Sequence, residues 1–202
     1  MNLVGKIHDS KIHTRRIRSL LRNLVPLLPT KGTVLDVGCG DGLLAKLISQ
    51  ELPNLDLQGI DVMVRAETKI PVAEFDGTQI PMDDNSVDVV MMVDVLHHTT
   101  DPEVLVREAK RVARNWFVIK DHTRNGFMAN TTLRFMDWVG NSYTGVALPY
   151  NYLSKQEWLD VFARTQMPIE TWNPKLALYG MPTDLIFGRS LHFVARLETT
   201  KT

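Results

Sequence analysis

The sequence predicts an α/β fold, a mostly parallel sheet with helices on both faces. Three observations carry this. From about residue 33 onward, short apolar runs alternate with segments of helical period, the order that β-α-β units impose. The run "SVDVVMMVDVL" is almost continuously apolar, as a strand covered on both faces would be. The stretch "VLDVGCGDG", Val34 to Gly42, puts glycines directly after an apolar strand-like run, the pattern of a sharp strand-to-helix turn.

The elements follow in order. Ile17, Leu20, Leu21, Leu24 and Leu28 fall at helical spacing, and Arg15, Arg16, Arg18 and Arg22 mostly take other faces. Residues 1–30 therefore form an N-terminal helical segment, disturbed near Pro26 and ended by Pro29. "TKGTVLDVG" is a turn and a first strand, and "LLAKLISQEL" a helix stopped at Pro53. "LDLQGID" and "IPVAEFD" are second and third strands, each ending in an acid; "VMVRAETKI" between them leaves room for a short helix at most. The apolar run from Ser86 is the fourth strand. "DPEVLVREAKRVAR" is a helix with Asp101 as N-cap and Pro102 at its first position, and "NWFVIKD" is the fifth strand. After Asp121 the chain turns aromatic, with a helix and a loop. "SKQEWLDVFART" is a helix in which Ser154 and Glu157 form a capping box. "MPIETWN" and "RSLHFVARLE" are two closing strands joined by a long connection containing "YGMPTD".

The chain of 202 residues suits one domain, 1–202, of ordinary globular composition. Its 23 basic and 23 acidic residues cancel, which argues against a dedicated nucleic-acid binder. Cys39 is the only cysteine, so no internal disulfide forms and a reducing cytoplasm is the expected compartment. No apolar run reaches membrane-span length, and the N-terminus lacks the apolar block of a signal peptide.

In an open parallel sheet, ligands bind beyond the carboxyl ends of the strands where strand order reverses. Gly38 and Gly40 let the backbone turn there and approach a ligand closely. Asp61 ends the second strand about 25 residues after Asp36, near the offset of a ribose-binding acid. Asp76 stands where an acceptor meets the exocyclic amine of an adenine, and Val62 covers one face of that base. Together the strand ends offer a seat for an adenosine with a polar tail. Dinucleotide enzymes use G-x-G-x-x-G; here the pattern is G-x-G-x-G, and Leu43 stands where that motif wants glycine. Asp36 and Asp41 would repel a pyrophosphate and attract a cation, so a sulfonium with an α-ammonium fits better.

These residues resemble a class I S-adenosylmethionine-dependent methyltransferase, of the broad group that includes quinone-biosynthesis and small-molecule methyltransferases. The matching residues are "VLDVGCGDG", "GID" ending at Asp61, "FDGTQIPMDDNSVDVV" and "VDVLHHTTDP", over roughly residues 30 to 120. The resemblance implies a Rossmann-like three-layer αβα sandwich with a seven-stranded sheet of order 3-2-1-4-5-7-6, strand 7 antiparallel. It implies S-adenosyl-L-methionine as cofactor and a small-molecule acceptor. Asp36 and the turn Gly38, Cys39, Gly40 would line the methionine portion. Asp61 would hold the ribose hydroxyls, Val62 or Met63 would pack on adenine, and Asp76, with Gly77 adjacent, would bond its amine. Asp94 and Val95 would lie near the methionine tail. Charge is lost at sulfur during transfer, so Asp36 and Asp94 are expected to hold the ammonium end.

His122 is the first candidate for a general base, oriented by Asp121. His98 is read either as a wall or base of the transfer site or as loop structure, and His97 as loop structure leading to the cap at Asp101. His98, Asp121 and His122 have no metal-ligand spacing signature, and no metal is expected. Cys39 reads as a buried filler. Phe127, Phe135, Trp138, Tyr143, Tyr150 and Tyr152 read mostly as core, a few lining an apolar acceptor pocket under a lid over residues 122–153. The basic N-terminal helix invites attraction to anionic lipid; a solvated face at one edge of the pocket is the commoner explanation. Rival functions are a non-catalytic cofactor-binding module and a nicotinamide-dependent oxidoreductase. A nucleic-acid methyltransferase is a third, opposed by neutral charge and by "VDVLHH" in place of an Asn/Asp-Pro-Pro-Tyr motif.

Overall fold

The computed structural model describes residues 3–141, 150–180, 183–188 and 190–199. The chain opens with α1 (Leu3–Leu24), which passes at Pro26 into a single 3-10 turn, Val25–Leu27. Then follow β1 (Gly32–Val37), α2 (Leu43–Glu51), β2 (Leu55–Asp61), β3 (Val72–Glu74) and β4 (Val87–Val93). After a 3-10 turn at Leu96–His98 come α3 (Pro102–Val112), β5 (Ala113–His122), α4 (Ala129–Asn141), α5 (Lys155–Arg164), β6 (Ile169–Asn173) and β7 (His192–Glu198).

The seven strands form one sheet in the order β3-β2-β1-β4-β5-β7-β6. Neighbours from β3 to β5 pair in parallel, and β7 runs antiparallel to both β5 and β6. The order reverses between β1 and β4, so the crevice lies beyond Val37 and Val93. Strand residues alternate between two cores, as a pleat of period two requires. Leu35, Val37, Val90, Met92, Phe117 and Ile119 pack against α3 and α5. Val34, Val89, Met91 and Val118 pack on the opposite face, against α1 and α2. A small third cluster, Ala129, Leu133, Tyr152 and Leu191, sits under α4.

Side chains stitch the elements where expected. Asp101 caps α3 by accepting from Glu103 N at 3.0 Å, and Ser154 and Glu157 form the capping box of α5. Asp88 Oδ2 accepts from Thr33 N at 2.8 Å and binds β1 to β4. Trp158 of α5 is fully buried between Phe162 and Phe193, and its Nε1 donates to the carbonyl of His122 at 2.9 Å.

Three expectations change. No helix forms between β2 and β3: Lys69 N donates to Asp41 O at 2.7 Å and Gly59 N to Pro71 O at 3.0 Å, so the link is held against the glycine turn and β2. The third strand is only Val72–Glu74, because it is an edge strand paired with β2 alone and follows a proline that has no N–H to donate. Phe127, Phe135 and Trp138 are exposed, whereas Tyr152 is core. Tyr143, and with it 142–149 of the expected lid, lies outside the described residues. No helix among the described residues is long and apolar enough to cross a membrane.

Trp158 ties the core to the end of β5. Trp158→Ala should lower stability by about 3–5 kcal/mol in urea unfolding. Trp158→Phe keeps most of the volume and should lose about 1 kcal/mol, the share of the bond to His122.

Candidate functional site

The turn after β1 is left-handed at successive glycines, with φ of 72° at Gly38 and 62° at Gly40. A Cβ at Gly38 would stand 2.6 Å from Val95 Cγ2, whereas one at Gly40 would meet nothing within 4 Å. Gly38 is excluded by the protein itself, while Gly40 faces open space at the ligand end of the sheet. Asp61 braces the turn: its Oδ2 accepts from Gly40 N at 2.8 Å and its Oδ1 from Met63 N at 3.0 Å. An sp² oxygen has two lone pairs, so each keeps one for a ligand.

Asp36 is buried and has no hydrogen-bond partner for its carboxyl among the described residues. Burial, then the nearby Asp61 charge, pushes its pKa up to about 7. Burial and the Asp36 charge likewise push the Cys39 thiol up to about 12, so it stays protonated. The Cys39 sulfur packs where a Cβ on Gly59 would lie, which makes it a filler.

Past β2, Val62 is 54% exposed and Met63 is exposed too, an apolar ledge at a strand end. A Cβ on Gly77 would lie 3.1 Å from Val62 Cγ1, so the Asp76–Gly77 turn borders the ledge. Asp76 lies two residues beyond β3, and its Oδ1 accepts from Thr78 N and Gln79 N at 2.7 Å each. These bonds make it a turn-forming acid and hold its carboxyl below the usual range.

At the ends of β4 and β5 the structure departs from the expected assignments. Asp94, itself left-handed at φ 60°, pairs with Lys120 and with Arg16 of α1 at 2.5 Å. Burial would raise its pKa, but the Lys120 and Arg16 cations outweigh that and hold it well below the usual range. Asp94 is therefore already matched by two cations, whereas Asp36 is not. Asp121 was expected to orient His122; its Oδ1 is closer to His97 Nδ1, at 2.7 Å, than to His122 Nδ1, at 3.4 Å. Asp121 also accepts from His122 N at 2.7 Å and Leu96 N at 2.9 Å, so it holds the 3-10 turn and β5 together.

His97 is thus part of the site. Burial opposes its charge, but Asp121 overrides this and raises its pKa to about 9. His122 Nδ1 lies 3.3 Å from His97 Nδ1 and 3.7 Å from Asp94 Oδ1. Burial first, then Lys120 and His97, lower His122 to about 4, so at neutral pH it is an uncharged imidazole. His98 stacks on His97 with ring centroids 4.0 Å apart and is also held neutral, by burial and by the His97 charge. His192 lies 4.7 Å from the His122 ring and borders a cavity of about 310 Å³ also lined by Leu176, Leu178 and Leu185.

Sequence reasoning missed Lys120 and His192, and it read Arg16 only as part of a solvated helix face, His97 as loop structure and Tyr152 as core or pocket wall. Lys120 carried a readable signal, a cation inside the apolar run "WFVIKD". The pairing of Arg16 with Asp94 and of His97 with Asp121 carried none, because the partners are distant in the chain.

Known proteins share this fold. The family described as "Methyltransferase domain" matches residues 9–168. Demethylmenaquinone methyltransferase of Thermotoga maritima is 25% identical over 120 residues, 56% of this chain, and the match spans only 52% of that relative. A SAM-dependent methyltransferase of Aquifex aeolicus superposes with a TM-score of 0.61 at 19% identity, over 95% of this chain and 98% of its own. Geranyl diphosphate methyltransferase, solved with GPP and sinefungin, gives 0.67 at 14% identity over 91% and 76%. At such identities the structural likeness speaks for the fold, and the family match speaks for kinship. The chain belongs to the methyltransferase-domain family.

Proposed function

We propose that this chain transfers the methyl group of S-adenosyl-L-methionine to a small, fairly apolar acceptor with an oxygen, nitrogen or carbon nucleophile. The observation that carries the reading is the left-handed glycine turn, braced by Asp61, open at Gly40 and placed beside the unpartnered carboxyl of Asp36. The residues present fit the cofactor. Asp61 keeps acceptor sites for two ribose hydroxyls, and Val62 and Met63 offer an apolar ledge to the base. Asp76 Oδ2 has no partner among the described residues and remains for the adenine amine, with Gly77 beside it. Gly38, Cys39, Gly40 and Val95 wall the methionine portion. Asp36 takes the ammonium, and Arg16 the carboxylate of the same tail. Asp94 then acts by fixing Lys120 and Arg16 rather than by binding the ammonium.

When bound, the cofactor supplies a methyl group already activated on a sulfonium. The chain's work is positioning, which supplies several kcal/mol, up to about 7–11 in the best intramolecular models. His122 is the base for an acceptor that must lose a proton. It is uncharged and so able to accept a proton, and Asp121 at 3.4 Å and Asp94 at 3.7 Å offset part of the opposition of burial, Lys120 and His97 to that proton. Asp121 reaches His122 through its backbone N–H and through His97, and His98 walls the same side. The apolar cavity beside His192 supports a small acceptor, being near the lower end of the roughly 300–1,000 Å³ range of ligand pockets.

Three outcomes are expected. Asp61→Ala should still melt cooperatively by circular dichroism, at a lower midpoint because the turn loses its brace, yet show no cofactor binding by calorimetry; unchanged binding refutes the ribose assignment. Asp36 must be ionised to hold an ammonium, so below its pKa of about 7 binding has to release a proton. Cofactor affinity should therefore rise about tenfold from pH 6 to pH 8, and Asp36→Asn should abolish that slope. His122→Ala should lower turnover of a hydroxyl or carbon acceptor by about 10²–10⁴ and spare cofactor binding, measured by release of demethylated cofactor.

A further inference from the structure

We propose that His97 Nε2, His98 Nε2 and Asp137 Oδ1 form a binding site for one divalent transition-metal ion of the zinc class, on the side of His97 away from Asp121. The site draws on two elements, the 3-10 turn after β4 and the helix α4. His97 Nε2 lies 3.8 Å from Asp137 Oδ1 and His98 Nε2 lies 3.9 Å from the same oxygen. All three donor atoms fall within 4.8 Å of one another. Bond lengths of about 2.0–2.2 Å to nitrogen and oxygen put the ligands of a tetrahedral ion roughly 3.4 Å apart, so modest closure around the ion completes the geometry. Two imidazoles and one carboxylate suit zinc and its neighbours rather than magnesium or calcium, which prefer oxygen alone.

The groups behind the ligands favour this reading. A ligating histidine usually gives its other ring nitrogen to a carboxylate, which fixes the ring and its tautomer. His97 does so, with Nδ1 2.7 Å from Asp121 Oδ1 in a fully buried pair. The ligating carboxylate is steadied in the same way, since Tyr152 Oη donates to Asp137 Oδ2 at 2.8 Å, while its Oδ1 is the oxygen nearest both histidines. His98 Nδ1 is buried with no hydrogen-bond partner among the described residues, so no hydrogen bond through that nitrogen fixes the ring's tautomer. Its side chain is 19% exposed against 2% for His97 and 6% for Asp137, so an ion would reach the group from the His98 side.

A second grouping, Asp94, His97, Asp121 and His122, is also tight enough to hold an ion. Charge decides against it. Lys120 and Arg16 already pair with Asp94, so a dication there would join two cations. On the Asp137 side the ion would instead join α4 to the end of β4. Residues 97, 98 and 137 follow no sequence motif of metal ligands, and only folding brings them together.

The test uses the tag-free full chain, stripped with chelator and titrated with Zn²⁺ by calorimetry and with Co²⁺ by visible absorption, without cofactor. One ion per chain is expected. His98→Ala and Asp137→Asn should each weaken it at least about tenfold while melting as folded proteins by circular dichroism. His98→Gln, which keeps bulk at a partly exposed position, should weaken it likewise. His122→Asn should bind as the wild type. No stoichiometric binding overturns the site, as does binding that survives both His98 and Asp137 changes. Loss in His122→Asn also overturns it, since that places the ion in the other group. None of these readouts bears on methyl transfer, so the two assignments stand or fall separately.

Discussion

The carboxylate of Asp61 is the constraint on which the ligand end of the sheet depends. One oxygen holds the amide of Gly40 and the other the amide of Met63, so a single side chain ties the turn after β1 to the exit of β2. The turn is left-handed at its glycines, a conformation that needs external support to persist. Parallel pairing of β1 with β2, with Asp36 opposite Gly59, sets the distance that the carboxylate spans. The same pairing brings Asp36 close enough to Asp61 for its own charge to be resisted. A brace for the backbone and a poised acid thus arise from one arrangement.

The ends of β4 and β5 follow a different logic. Here the structure buries Lys120, Asp121 and His97 and half-buries Asp94, groups whose isolation from water is costly unless they are paired. Each is paired, and the pairs abut, so the charge of one fixes the protonation of the next. His122 is the outcome: a histidine beside two carboxylates that is nonetheless neutral, because burial, Lys120 and His97 outweigh them. Arg16 extends this set to α1, which gives the N-terminal helix a share in the site as well as in the core.

Much of this was legible in the sequence, for local reasons. Apolar runs and caps located β1, β4, α3 and α5, because strand burial and helix capping act within a few residues. The glycine pattern and Asp61 marked the sharp turn at the carboxyl end of the sheet, because a left-handed backbone favours glycine. The order of the seven strands came by resemblance, since pairing between distant strands leaves no mark in either. Misreadings arose where distant contacts overrode local pattern. His97 reads as loop structure leading to the cap at Asp101 and does lie in the 3-10 turn before α3, but its contacts with Asp121 and Asp137, 24 and 40 residues further along, leave no local mark. Asp94 looked like a vacant anion until Arg16 and Lys120 were found on it. Phe127, Phe135 and Trp138 have core composition but sit on an exposed helix and its approach, which composition does not reveal.

Gly38 and Gly40 have similar backbone angles and opposite surroundings. Any side chain at the first collides with Val95, whereas at the second it projects into empty space and meets only the conformational penalty of its angle, roughly 1–2 kcal/mol. Two glycines two positions apart thus answer to separate selective pressures. Replacement of one collides with the folded molecule, and replacement of the other alters only the open surface that the turn presents. Drift at the second position could silence a lineage's chemistry while leaving a durable, well-expressed protein behind.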